Sequence, residues 1–173
     1  MSKILKNEHK YIAYDGGPLL ILPATVASKW NGINTNDYQR ACDLVETSST
    51  GIKLIPVEDE FGVLIKYWPL YAFPLHLKTN KIDVVALESW ADDTDLLINS
   101  TIQYFHTNSS LDTGLIWKIK ADEILILSAS DIPNNPIYKI LRYKVCKGNY
   151  NIYCGPYKNN NDNSMMIKFI KPS

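Results

Sequence analysis

Few side chains in this chain could do chemistry. Its three histidines, His9, His76 and His106, are widely separated in sequence, and none has a second donor at metal-ligand spacing. Neither H-E-x-x-H nor C-x-x-C occurs. An isolated histidine of this kind reads as a polar residue rather than as a ligand or a catalytic base. The cysteines Cys42, Cys146 and Cys154 are odd in number and lack framework spacing. A nucleophilic thiol needs an accessible, electropositive setting. Cys42 instead falls on the apolar side of a predicted helix beside Ala41, so it is expected in the core. Cys146 and Cys154 are close enough in sequence to face each other across a hairpin, although reduced thiols are the default in a cytosolic chain. The pair Gly16-Gly17 is followed by Pro18 and an apolar run, not by a helix carrying Lys and Ser/Thr, so it lacks the donor array of a phosphate cradle. No G-x-S-x-G elbow occurs. The sequence assigns no catalytic residue, cofactor site or metal site.

The carboxylates Glu88, Asp92, Asp93 and Asp95, grouped around Trp90, are the densest cluster of ionisable groups. A glycosidase-type pair would need a cleft and a proton donor of raised pKa, for which the sequence offers no support. Two readings remain. Acids are favoured in the first turn of a helix by about 0.3–1 kcal/mol each. Alternatively, the cluster is an interface patch facing a basic partner, with Trp90 as its aromatic anchor. The formal net charge is zero, which gives no global pull toward nucleic acid or an anionic membrane. The charge is unevenly placed along the chain, however. Residues 83–131 hold nine acids against Lys118 and Lys120, a balance of −7, whereas residues 132–173 reach +6. The basic part interleaves aromatics: Tyr138, Arg142, Tyr143, Lys144, Lys147, Tyr150, Tyr153, Tyr157 and Lys158. On one sheet face these could stack single-stranded nucleic acid. Zero net charge favours a Tyr-rich sheet with solvated lysines, and no nucleic-acid partner is expected.

The elements that must position these residues read mostly as β. Strands are expected at 11–14, 19–22, 52–57, 62–68, 82–88, 115–119 and 124–127, and residues 70–77 are extended, with Pro69 and Pro74 pushing them toward a sheet edge. Residues 24–30 read as a short helical piece closed by Asn31-Gly32. Asn36 and Gln39 have capping-box spacing. Tyr38, Ala41, Cys42 and Val45 then share one helix face, giving a helix over 37–46. A second helix is expected over 92–106, capped by Asp92, with Ile98, Ile102 and Phe105 as its apolar stripe. Segments 138–146, 150–154 and 165–170 read as a closing meander, turned by Lys147-Gly148-Asn149 and by the Asn-rich stretch 158–164. Trp30, Cys42 and Ile102 are expected in the core. The whole, residues 1–173, is expected to be a single α+β domain, predominantly antiparallel sheet with two or three short helices. The N-terminus lacks the apolar core of a signal peptide, and no run approaches a membrane span, so a cytoplasmic protein is expected.

One stretch carries a resemblance. Asp15, Gly16, Gly17, Pro18, an apolar strand, Pro23, Trp30 and then Tyr38, Ala41 and Cys42 within D-Y-x-R-A-C follow the opening of the immunity-protein 21 family. The resemblance covers roughly the first third of the chain. It implies a bacterial protein that neutralises the cognate polymorphic toxin by binding it, with no turnover, no cofactor and a toxin domain as partner. The shared residues look architectural, so the toxin-binding residues are expected elsewhere, at Glu88, Trp90, Asp92, Asp93 and Asp95. A small ligand-binding β module, or a hydrolase with a dispersed site, is the alternative.

Overall fold

The computed structural model describes residues 10–13, 17–66, 71–78, 80–87, 94–107, 111–159 and 162–172. The sequence-based class is correct: the fold is α+β and dominated by antiparallel sheet. In chain order the strands are β1 (Ile12–Ala13), β2 (Leu19–Pro23), β3 (Ile52–Val57), β4 (Glu60–Ile65), β5 (Tyr71–Lys78), β6 (Lys81–Leu87), β7 (Leu111–Ile119), β8 (Glu123–Ser128), β9 (Leu141–Lys144), β10 (Gly148–Asn159) and β11 (Asp162–Ile170). Helix α1 spans Asp37–Glu46 and α2 spans Thr94–Thr107, and two 3₁₀ segments, Ala24–Lys29 and Gly32–Asn34, precede α1.

The strands form two sheets. Sheet one has six strands in the order β1-β5-β6-β11-β10-β7, and sheet two has five in the order β3-β4-β2-β8-β9. Side chains alternate across each strand, so each sheet has an inner and an outer face. The inner faces meet in the largest core, where Leu19 and Ile21 of β2 oppose Ile82, Val84, Trp117, Ile152, Ile167 and Phe169 of sheet one. The outer face of sheet two, with Leu20, Leu22, Leu64, Leu125 and Leu127, is covered by the 3₁₀ segment and α1 through Val26, Trp30, Ala41 and Val45. The outer face of sheet one, with Phe73, Val85, Leu87 and Met166, is covered by α2 through Leu97, Ile98 and Phe105. The result is four layers: helix, sheet, sheet, helix. It explains why β2 reads as an unbroken apolar run. It is central in sheet two and buried on both faces, so nothing selects polar residues at alternate positions.

Several local expectations need correction. The capping box does not form, because Asn36 makes no side-chain cap bond. Instead the Asp37 N–H donates to Thr35 Oγ1 (3.2 Å), and Gln39 donates along the helix to Asp43 (2.7 Å). Cys42 is only half-buried, since Ala41 and Val45 take the inner positions and Cys42 sits at the flank. Ile102 is likewise half-buried, packed at the margin of the α2 layer. Strand β4 is shifted toward the hairpin, beginning at Glu60, because only Glu58 and Asp59 are needed for the turn. Residues 67 and 68 lie outside the described residues. β5 is next to the edge rather than at it, but β1 pairs only with Tyr71 and Ala72. Pro74 lies beyond that pairing, so its missing N–H costs no ladder bond there. The closing meander is not one unit: β9 pairs with β8 in sheet two, whereas β10 and β11 form a hairpin in sheet one.

Candidate functional site

The residues of the resemblance converge, as far as they are described. Asp15 and Gly16 lie outside the described residues. Gly17 has φ of +82°, and the Tyr38 ring of α1 occupies the place where its side chain would be, the Tyr38 hydroxyl lying 2.5 Å from an ideal Cβ. Pro18 and Pro23 are buried at the two ends of the β2 segment. Trp30 is 1% exposed, and its indole N–H donates to the Ala129 carbonyl at 3.0 Å, tying the 3₁₀ segment to the end of β8. The Arg40 guanidinium lies 6.0 Å from the Trp30 ring. Tyr38 also neighbours Cys42, and burial, aided by that neighbour, holds its phenol above the ordinary value. These are packing contacts joined by one hydrogen bond and one cation–ring contact, and the thiol of Cys42 lies beside the Tyr38 phenol. The arrangement fixes a turn, a strand and a helix against one another; it has no group placed to attack a substrate.

Of the proposed interface residues, Glu88, Trp90, Asp92 and Asp93 lie outside the described residues. Asp95 is exposed in the first turn of α2, where a carboxylate faces the positive end of the helix dipole. The charge asymmetry of the sequence is partly undone by folding. Arg142 of β9 pairs with Glu123 of β8 at 3.0 Å, and Lys168 of β11 stands opposite Asp83 of β6. The basic, Tyr-rich part is also divided between sheets. Arg142, Tyr143 and Lys144 belong to sheet two, and Tyr150, Tyr153 and Tyr157 to sheet one. Tyr150 is fully buried, with its hydroxyl donating to the Cys146 carbonyl at 2.7 Å, and burial raises both its phenol and that of Tyr143. These residues therefore do not form one stacking platform.

The thiols are all free. Cys154 is buried in β10 opposite Ile167 and Leu111, away from Cys146, and its thiol is raised by burial, the opposite of an activated nucleophile. Among the described residues no group of three or more His, Cys, Asp or Glu is placed to hold a metal ion. No helix among them is long and apolar enough to cross a membrane.

One buried carboxylate escaped the sequence reading. Glu60, at the start of β4, is 5% exposed; it accepts from the Thr25 hydroxyl and, at 3.3 Å, from the Lys120 backbone N–H. Beside it Lys120 pairs with Asp59 at 2.7 Å, which lowers the carboxyl and raises the ammonium, and the Trp117 indole N–H donates to the Phe61 carbonyl at 2.6 Å. These bonds clamp the β3–β4 hairpin to the β7–β8 turn. No signal in the sequence marks Glu60, because its partners are 35 and 60 residues away. A shallow hollow on the solvent side of α1, lined by Asn36, Gln39, Arg40, Asp43, Leu44 and Thr47, belongs to that helix and its caps, with no residue from a second element facing it. Of the exposed apolar side chains, Leu111 and Ile116 both belong to β7, whereas Ile33, Phe61 and Ile137 each lie in a different segment.

No model of a known protein family matches the chain, and neither a curated protein nor a solved structure matches it.

Proposed function

We propose that this chain is a cytoplasmic immunity protein that binds and neutralises the toxin domain of a bacterial polymorphic toxin, without turnover of its own. The observation that carries this reading is the first third of the sequence. Of the described residues that carry the resemblance to the immunity-protein 21 family, Trp30, Tyr38 and Ala41 pack together on the outer side of sheet two, and Gly17 is seated against the Tyr38 ring. A motif used for packing suits a scaffold whose partner is chosen by variable surface residues. An inhibitor needs a stable frame and a complementary surface of about 800 Å² on its own side; it needs no nucleophile and no proton donor.

The acidic stretch Glu88, Trp90, Asp92, Asp93 and Asp95 is the surface proposed for the toxin. Toxin domains that act on nucleic acid present basic clefts, and acids placed there block the substrate site and speed association. Co-expression of the toxin domain encoded beside this chain, with and without it, is the test. Survival only in its presence supports the reading, and equal killing in both cultures overturns it. For the surface, Asp93→Lys should lower the association rate, and added salt should narrow the gap to the wild type, since screening acts within about 10 Å at 0.1 M. An on-rate unchanged by Asp93→Lys would move the interface elsewhere.

A further inference from the structure

We propose that α2 opens from sheet one as a unit of its own, with the two-sheet sandwich left intact. The layer beneath α2 holds most of the buried polar side chains among the described residues. Among the described residues five polar or charged side chains are buried: Glu60, Asp83, Thr101, Ser128 and Ser164. Three of these, Asp83, Thr101 and Ser164, lie between α2 and sheet one. Thr101 donates or accepts at 2.7 Å with Ser164 of β11, across the interface between helix and sheet. Asp83 shares the outer face of β6 with Val85 and Leu87. It is 3% exposed, its Oδ2 is 3.4 Å from Lys81 Nζ, and its Oδ1 has no hydrogen-bond partner among the described residues. Opposite it, Lys168 reaches from β11 to the last turn of α2, where its ammonium donates to the Phe105 carbonyl at 3.0 Å and lies 5.6 Å from the Phe105 ring. Burial holds the Lys168 ammonium below its ordinary value, and the Asp83 carboxylate only partly offsets this.

Each of these groups regains water when α2 lifts away. A buried carboxylate oxygen without a partner and a desolvated ammonium both oppose docking. Docking is favoured by the Thr101–Ser164 and Lys168–Phe105 hydrogen bonds and by a short apolar list: Leu97, Ile98 and Phe105 are buried, Ile102 is half-buried, and the more exposed Tyr104 ring lies 5.3 Å from that of Tyr157 on β10. The Phe105 ring is seated over Gly155 of β10, in space that a Cβ would take, which fixes where the helix returns. The core between the sheets contains no residue of α2, so opening exposes the outer face of sheet one without breaching that core. Segments of this kind open with free energies below that of global unfolding.

Native-state hydrogen exchange on the full chain, across low denaturant, reads this directly. The α2 amides should exchange at least tenfold faster than those of β2 and β8, on their own shallow denaturant dependence. In the double variant Asp83→Leu with Lys168→Met, which replaces the buried charges by apolar side chains, protection of the α2 amides should rise at least threefold with β2 and β8 unchanged. A single isotherm shared by α2, β2 and β8 overturns the proposal. So does a double variant in which α2 protection is unchanged or lower. If the double variant does not fold, the wild-type comparison decides.

Discussion

The two helical layers cover equivalent faces of the two sheets by different means. On sheet two, the 3₁₀ segment and α1 bury Val26, Ala27, Trp30, Ala41 and Val45 against a leucine-lined face, and the indole N–H, the one polar atom carried in by Trp30, meets the Ala129 carbonyl. On sheet one, α2 brings Thr101 into the buried layer, and beneath it the sheet contributes Ser164 and the charged Asp83 and Lys168. The one buried carboxylate beside the first layer, Glu60, has both oxygens bonded, to Thr25 and to the Lys120 N–H; the second layer carries an unpartnered carboxylate oxygen, Asp83 Oδ1. A satisfied apolar contact gains stability with every atom buried, whereas a buried charge stabilises only if its partners replace water completely. The layer built by the first third of the chain is thus the one without an unpartnered buried group, and the acidic stretch proposed to meet a toxin leads into the other.

The comparison can be broken most severely at Trp30. Trp30→Ala should cost about 3–5 kcal/mol, from the cavity it leaves and the orphaned Ala129 carbonyl, read by denaturant unfolding. A loss well under 1 kcal/mol would mean that this layer is not the anchor described. Gly17→Ala should cost less, about 1–3 kcal/mol, since a Cβ meets the Tyr38 ring at a positive φ; if thermal unfolding is unchanged, Tyr38 is not seated there. On the other sheet, Thr101→Val removes two hydrogen bonds, to the Leu97 carbonyl and to Ser164, with little change of shape. It should cost about 1–2 kcal/mol, with Ser164 left unpaired. Adding Ser164→Ala should recover part of that loss, and strict additivity of the two would deny that they form a pair.

The smallest effect sharpens the comparison through pH. Asp131, half-buried just beyond β8, has its carboxyl raised by burial, against hydrogen bonds from Ser130 and the Ser128 region that lower it. A raised carboxyl favours the protonated form in the fold. Its contribution to stability is therefore full below the ordinary carboxylate range and is lost as pH rises through the folded value. Asp131→Asn should make the protein slightly more stable than the wild type at neutral pH, with the gap closing in acid. A gap that does not vary with pH would trace the change to the Ser130 hydrogen bond instead.

The legible parts of the fold are those set by neighbours in the chain. The helix at 37–46 and the strand at 52–57 are found where the periodicity places them, because each has its pattern complete within ten residues. Strand β10 runs past the expected end at Cys154 because β11 pairs with it as far as Asn159, and since β7 stops pairing at Leu111, Pro156 leaves no ladder bond unmade on that side. Which sheet receives β9, and which receives β10, depends on partners distant in sequence. The same holds for the polar layer. Asp83 reads as one polar position in an apolar strand, and only the fold brings Lys168 opposite it. Thr101 and Ser164 are 63 residues apart. Cys42 was misplaced for a local reason: the spacing i, i+3, i+4, i+7 marks a stripe wider than the surface α1 buries, and the flank of a stripe is not its centre. Of the proposed interface, only Asp95 falls among the described residues.

The reading of this chain as an inhibitor is tested most directly by titration. The toxin domain proposed as its partner, purified and assayed for its own activity, is mixed with increasing amounts of the chain. The account predicts that activity falls linearly to zero at a fixed molar ratio, and that the two proteins co-elute as one complex. Toxin activity that persists at a large molar excess of the chain, with the two proteins eluting separately, would contradict it.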